Sequence, residues 1–172
     1  MDVIGDGYDL SVRTGSIDVR AGLMVERLGS HRMIVCASPD YLAAYDTPRR
    51  LEYLRSHSAV VYARPGWNYA WLFQDDKGAR VEVSPPHRVR LDDLAAVTEA
   101  AVAGAGLAWV PSWLARPHIE AGRLVEVLED RPCFTFANYA LWPEAKHTPL
   151  KVRIALDLLA AEIPKQLDPK RL

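Results

Sequence analysis

The segment Arg32–Tyr45 constrains the fold more than any other. It opens as an apolar run, Met33-Ile34-Val35-Cys36-Ala37, with β-branched residues at its centre and charge before it, which is the pattern of a short buried strand. The signal then reverses. Ser38 is a good helix N-cap, Pro39 suits the first helical position, and Asp40 places a negative charge in the first turn. A buried strand running directly into a capped helix is a βα junction. It implies an α/β chain, and it leaves backbone N–H groups of the helix start available to a small anion. The plainer role of the same residues is an ordinary junction with Ser38 as a cap.

The rest of the chain continues the alternation. Tyr8, Leu10 and Val12 alternate with Asp9, Ser11 and Arg13, which predicts a strand between Gly7 and Thr14-Gly15. Residues 23–28 form a second extended segment, set off from the strand at 32–37 by Gly29-Ser30. Strands are further predicted at 58–62, 80–83, 87–91, 107–110, 123–128 and 134–143. The aromatic alternation Trp67, Tyr69, Trp71, Phe73 adds another, after a turn at Arg64-Pro65-Gly66 and before a hairpin turn at 75–78. Leu51, Tyr53 and Leu54 suggest a short helical turn. A helix capped by Asp92 or Asp93 ends at Gly104-Ala105-Gly106. A further junction at Pro111-Ser112 starts a helix kept short or irregular by Pro117, and a last helix runs from the Thr148 cap and Pro149 to about Glu162. That helix carries two apolar stripes. Val152, Leu156, Leu159 and Ile163 form one, and Leu150, Ile154 and Leu158 lie nearly opposite. A surface helix needs only one, so the second is expected either to be wedged in the core or to meet further structure or a partner.

Composition narrows the functional classes. With 172 residues, 49% of them hydrophobic and 25% charged, the chain can form a core as one domain or two small lobes. A net charge of -1 argues against nucleic-acid binding by this chain itself. The longest apolar runs are too short for a membrane span, and the acidic start Met1–Asp6 lacks the layout of a signal peptide; a cytoplasmic location is expected. Cys36 and Cys133 read as small buried hydrophobes. Five histidines stand singly, so no metal site is expected, and no cofactor. Gly104-Ala105-Gly106 is not a dinucleotide fingerprint: it follows a helix, and Trp109 occupies the third glycine position. Neither Ser38 nor Ser112 sits in a nucleophile elbow, and Asp75-Asp76 and Asp92-Asp93 suit a turn and a cap. No enzyme activity is expected.

Taken in order, the motifs resemble a known family. Gly7-Tyr8-Asp9-Leu10-Ser11-Val12-Arg13-Thr14-Gly15 resembles the G-x-D-L-x-x-R-x-G strand of LysR-type transcriptional regulators, and Cys36-Ala37-Ser38-Pro39-Asp40-Tyr41-Leu42 their C-A-S-P-x-Y-L signature. His57, Trp71 and Phe73, Leu91-Asp92, Ala103–Pro111, Gly122–Val125 with Val127-Leu128, Trp142-Pro143 and Pro149–Arg153 follow in the family's order. The resemblance implies the effector-binding domain: an α/β, two-lobe, type 2 periplasmic-binding-protein-like fold that senses a small molecule between its lobes. It places the first lobe at 1–37 and 138–163, the second at 38–137 and a tail at 164–172, joined by two crossing strands. It also implies that the first lobe is incomplete and that the helix-turn-helix part lies outside the chain. DNA would then be contacted only through that part, by a homo-oligomer.

On this reading the ligand is anionic or polar. Ser38 and Pro39 are the first candidates to meet it. Arg13 would pair with a carboxylate, against the competing role of a structural ion pair. Trp109 and Pro111 would form an apolar wall, against plain core packing. Leu91, Asp92 and Tyr62, with Arg64 nearby, complete the set. Two other classes share the fold, a solute-binding component for transport and a small-molecule enzyme.

Overall fold

A computed structural model describes residues 7–18, 21–64, 70–75, 77–131 and 134–167. The turn at Pro65-Gly66, the start of the aromatic alternation at Trp67 and Tyr69, and Cys133 lie outside them. The chain divides into two compact units, 1–31 with 135–172, and 32–134.

The first unit contains β1 (Ser11–Thr14), the opening part of β2 (Leu23–Ala37), β9 (Thr135–Pro143) and helix α4 (Leu150–Leu167). β9 lies between β1 and β2, and pairs antiparallel with β1 from Ser11↔Leu141 to Thr14↔Asn138. Helix α4 covers this sheet with Val152 and Leu156, which pack on Leu28, Ala140 and Trp142. Leu10, Leu159, Ala160 and Ile163 close the margin of that cluster. β2 is one strand of 15 residues, where Gly29-Ser30 suggested a break. Gly29 stays in the strand at φ 153°, and a Cβ there would stand 3.4 Å from Leu167 Cδ1. That distance is an ordinary contact, so it is the backbone conformation rather than crowding that favours glycine here. Helix α4 runs past Pro164 to Leu167, beyond the end expected near Glu162.

The second unit is a sheet buried on both faces. The end of β2 pairs antiparallel with β7 (Leu107–Pro111) and with β8 (Val125–Val127). β3 (Ala59–Tyr62) lies parallel to both β7 and β6 (His87–Leu91). Alternation sorts the side chains. Ile34, Cys36, Val60, Ala108 and Val110 face α2 (Leu94–Val102) and α3 (Ser112–Glu120) through Val97, Ala101 and Ala115. Val35, Ala37, Ala59, Val61 and Leu107 face α1 (Pro39–Tyr45), the 3-10 turn Leu51–Ser56 and strand β4 (Trp71–Gln74) through Tyr41, Leu54, Trp71 and Phe73. β4 forms a hairpin with β5 (Arg80–Val83), whose turn is held by Asp75 accepting the N–H groups of Lys77 and Ala79.

The punctuation follows local chemistry. Ser38 caps α1, its hydroxyl accepting the Tyr41 N–H at 3.2 Å. Asp93, not Asp92, caps α2, accepting Ala96 N–H at 2.8 Å. Gly104, at φ 80°, ends α2 in a Schellman arrangement, with Ala105 N–H bonded to Ala100 O and Gly104 N–H to Ala101 O. Helix α3 passes through Pro117 to nine residues, and its N-cap is Pro111, which supplies no capping side chain; Ser112 is already inside the helix.

Candidate functional site

The strand register of the second unit decides where the candidate residues stand. Met33 pairs with Pro111 and Cys36 with Ala108, so β2 and β7 run in opposite directions. Ser38, one residue beyond β2, therefore stands at the end of the sheet where β7 and β3 begin. Pro111, Tyr62 and Leu91 stand at the end where β7, β3 and β6 finish. The five residues from Met33 to Ser38 correspond to about 16 Å of strand. Ser38 and Pro39 are thus at one end, and Tyr62, Leu91, Asp92 and Pro111 at the other.

At the first end Ser38 is enclosed, whereas Pro39 is exposed. Ser38 is 4% exposed, and its carbonyl accepts Leu42 N–H while its hydroxyl caps α1. A Cβ on Gly104 would lie 3.6 Å from that hydroxyl. Beside it, the buried Tyr41 hydroxyl accepts Ser58 N–H at 3.0 Å and lies 3.3 Å from His57 Nδ1. Burial raises the Tyr41 pKa and lowers that of His57, the second despite Asp46. These contacts tie α1 to the start of β3.

The second end is built from the C-terminal ends of three parallel strands, where open α/β sheets bind ligands. Tyr62 and Leu91 are register partners, and Ala63 N–H bonds Leu91 O at 2.8 Å. Both side chains pack on the cluster below α2 and α3. Asp92 is exposed between β6 and the Asp93 cap, and Arg64 is exposed just after β3. Pro111 is buried, and beyond it the first turn of α3 begins without a capping side chain. The N-termini of α2 and α3 both rise from this end. Trp109 is half-buried in β7 but packs against the opposite cluster, with Tyr41 and Phe73. Arg13 belongs to the first unit, half-buried in β1 opposite Tyr139.

The first unit holds a polar chain that the sequence did not advertise. Thr14 Oγ1 donates to Asn138 Oδ1 at 2.7 Å, and Asn138 Nδ2 meets His31 Nδ1 at 3.0 Å. It links β1, β9 and β2, and burial lowers the His31 pKa. Isolated histidines and asparagines give no pairing signal until strand register brings them together. In the second unit the Arg32 guanidinium forks onto both oxygens of Glu126. Among the described residues no three His, Cys, Asp or Glu side chains come together as a metal set, and no helix is long and apolar enough to cross a membrane.

A family model for the LysR substrate binding domain matches residues 1–164. The chain belongs to this family. The LysR domain is 31% identical over 159 residues to the HTH-type transcriptional activator AaeR of Escherichia coli K12, covering 92% of this chain and 50% of that protein. It is similar in structure to the regulatory domain of CrgA, a LysR-type transcriptional regulator from Neisseria meningitidis, with TM-score 0.79, 28% identity, 92% of this chain and 77% of that one covered. It is also similar to the full-length Vibrio cholerae virulence activator AphB, with TM-score 0.76, 28% identity, and 91% and 52% covered. The LysR chain therefore spans about half the length of the curated relatives it matches. Its fold is the α/β, type 2 periplasmic-binding-protein-like fold of LysR regulatory domains.

Proposed function

We propose that this chain is the effector-sensing part of a LysR-type transcription regulator in the cytoplasm and has no catalytic activity of its own. It takes a small anionic or polar molecule in the interlobe cleft that the family resemblance implies, and DNA is contacted by a helix-turn-helix part of the full-length homo-oligomer. One observation supports the sensing face most directly: the ends of β3, β6 and β7 converge with the N-termini of α2 and α3 at Tyr62, Leu91, Asp92 and Pro111. Backbone N–H groups at the start of α3, with the Arg64 cation nearby, suit a carboxylate or phosphate. Trp109 adds apolar bulk on the other face of β7, and Arg13 offers a cation from the first unit. Ser38 and Pro39 keep a place in the set only if the ligand reaches the opposite end of the sheet.

The test is a thermal-shift screen of small carboxylates, phosphates and polar metabolites on the chain, followed by calorimetry on each hit. The expected result is a saturable ligand recovered unchanged, with binding weakened at least tenfold by Tyr62→Ala or by Pro111→Ala. Chemical conversion of a hit would overturn the sensor reading in favour of an enzyme. Binding indifferent to both substitutions would remove the strand-end assignment. The coding DNA upstream of Met1 separates the regulator from a transport component: a helix-turn-helix in frame supports the first, a secretory signal peptide the second. The regulators among the relatives favour the first.

A further inference from the structure

The second apolar stripe of α4 is exposed at Leu150, Ile154 and Leu158, but a row of aliphatic side chains does not say what covers it. The second unit carries a patch whose chemistry is more specific. Between the end of α1 at Tyr45 and the close of the 3-10 turn at Ser56, the chain is pinned on its inner side by Pro48, Leu51 and Leu54. Leu51 and Leu54 share one row of the turn, because residues three apart eclipse in a 3-10 helix. Tyr45, Arg49, Arg50, Tyr53 and Arg55 are left outside, all of them exposed. Tyr53 N–H bonds Arg50 O at 3.1 Å, Ser56 Oγ donates to Tyr53 O at 2.8 Å, and the Tyr45 ring lies 4.8 Å from that of buried Tyr41, so the patch stands on a fixed base.

The charge of this patch is not neutralised from within. Among the described residues no carboxylate pairs with Arg49, Arg50 or Arg55, although Asp46 and Glu52 lie in the same stretch. Arg32, Arg80, Lys151 and Lys165, by contrast, each hold one. Three such guanidinium groups fall within seven residues, with Cα atoms no more than about 20 Å apart. They make a local positive surface that the whole-chain charge of -1 conceals. The two exposed tyrosines among them add hydroxyl donors. Guanidinium forks and phenolic hydroxyls are groups that hold phosphodiester oxygens without reading bases.

We propose that Arg49, Arg50, Tyr53 and Arg55, with Tyr45 at the margin, form a sequence-independent seat for the phosphate backbone of double-stranded DNA. The choice of DNA over another polyanion rests on the regulator reading proposed above. In such a protein the duplex is already held by the same polypeptide, so a weak patch meets it at high effective concentration. The seat is auxiliary: it adds affinity and carries no sequence preference of its own.

Fluorescence anisotropy of a labelled duplex of arbitrary sequence, titrated with the chain at about 20 mM salt, tests this. The expected result is weak, saturable binding, on the order of 10–100 µM. The logarithm of the binding constant should fall against that of salt with a slope between about −2 and −3, since each phosphate neutralised contributes about −0.9. The double variant Arg49→Gln with Arg50→Gln should weaken binding at least tenfold, and Tyr53→Ala severalfold. The same change at Arg88 and Arg123, exposed elsewhere in the second unit, should leave it within about threefold. All five positions are exposed, and circular dichroism of each variant confirms that the fold is intact. No binding below about 1 mM overturns the proposal. So does binding reduced as much by the Arg88 and Arg123 control, or a flat salt response. Polyglutamate bound in place of the duplex would make the patch a seat for an acidic protein, and overturns it as well. The sensing assignment is read by the ligand screen and stands or falls apart from these outcomes.

Discussion

Asn138 points its side-chain amide at Nδ1 of His31 across 3.0 Å, with both residues only 6% exposed. The Thr14 hydroxyl, donating to the other end of the same amide, sets its orientation. With Nδ1 accepting, the imidazole is neutral and carries its proton on Nε2. Protonation of Nδ1 would turn that acceptor into a donor facing another donor. Asn138→Ala should therefore destabilise the chain by roughly 1–3 kcal/mol, because it leaves a buried ring nitrogen unsatisfied. Urea unfolding measures this directly, and a midpoint unchanged from the parent would contradict it.

The same imidazole sets a pH dependence. Burial holds His31 below its ordinary value of 6.5, and His57 is lowered for the same reason. In the unfolded chain both take up protons near 6.5, and in the folded chain only at lower pH. Between those values the unfolded state binds more protons, so stability falls as pH drops from 6.5 through the lowered folded values and levels off below them. Urea midpoints at pH steps across this window should decline, and His31→Gln should flatten the decline. A midpoint that rises on acidification here would refute the neutral assignment.

Gly106 and Gly122 should respond very differently to alanine. Gly106 sits at φ 150° with the Ser58 carbonyl carbon 2.9 Å from where a Cβ would be, and the adjoining Leu107 N–H is bonded to that same carbonyl. Backbone cannot yield as a flexible side chain would. Gly106→Ala should cost roughly 2–4 kcal/mol, from strain and overpacking together. Gly122, at φ 68° with nothing within 4 Å, should cost about 1 kcal/mol from conformation alone. Equal losses in urea unfolding would mean that β3 and β7 do not approach as closely at Gly106 as their register requires.

Ser38→Ala should cost about 1 kcal/mol through loss of the α1 cap. Because the cap stands at the far end of the sheet from Tyr62 and Pro111, the affinity for any ligand found in the screen should hold within about twofold, a change near 0.4 kcal/mol. Calorimetry on the variant beside its unfolding curve separates the two effects. A tenfold affinity loss would place the ligand at the cap.

Cys36 is fully buried, and burial, with Glu126 adding to it, pushes its thiol up to about 12. Almost no thiolate exists near neutrality to act as a nucleophile. In a Cys133→Ser background, iodoacetamide should leave the folded chain unmodified and label it promptly in urea, as read by intact mass. Labelling of the folded chain would show that the end of β2 opens.

Much of the fold was legible because its punctuation is chemical and local. Ser38-Pro39-Asp40 announced α1, and Gly104 announced the end of α2. Two signals mislead. Gly29-Ser30 reads as a break, yet both residues lie within one continuous strand, and Pro164 reads as a stop, yet the last helix runs through it to Leu167. The candidate site was less legible. Ser38 and Pro111 both mark strand-to-helix junctions and look equivalent in sequence. Only the antiparallel pairing of β2 with β7, set by residues some 75 positions apart, puts them at opposite ends. The His31–Asn138 contact, 107 positions apart, left no local trace at all.

That separation of ends bears on how such a domain can change over generations. The contacts that hold α1 in place, through Ser38, Tyr41 and Ser58, share no residue with the strand ends at Tyr62, Leu91 and Pro111. Substitutions at the strand ends can accumulate without disturbing the cap, and the cap can be kept unaltered while the strand ends diverge. If the strand ends carry recognition as proposed, related domains can change what they recognise while the α1 cap stays unaltered.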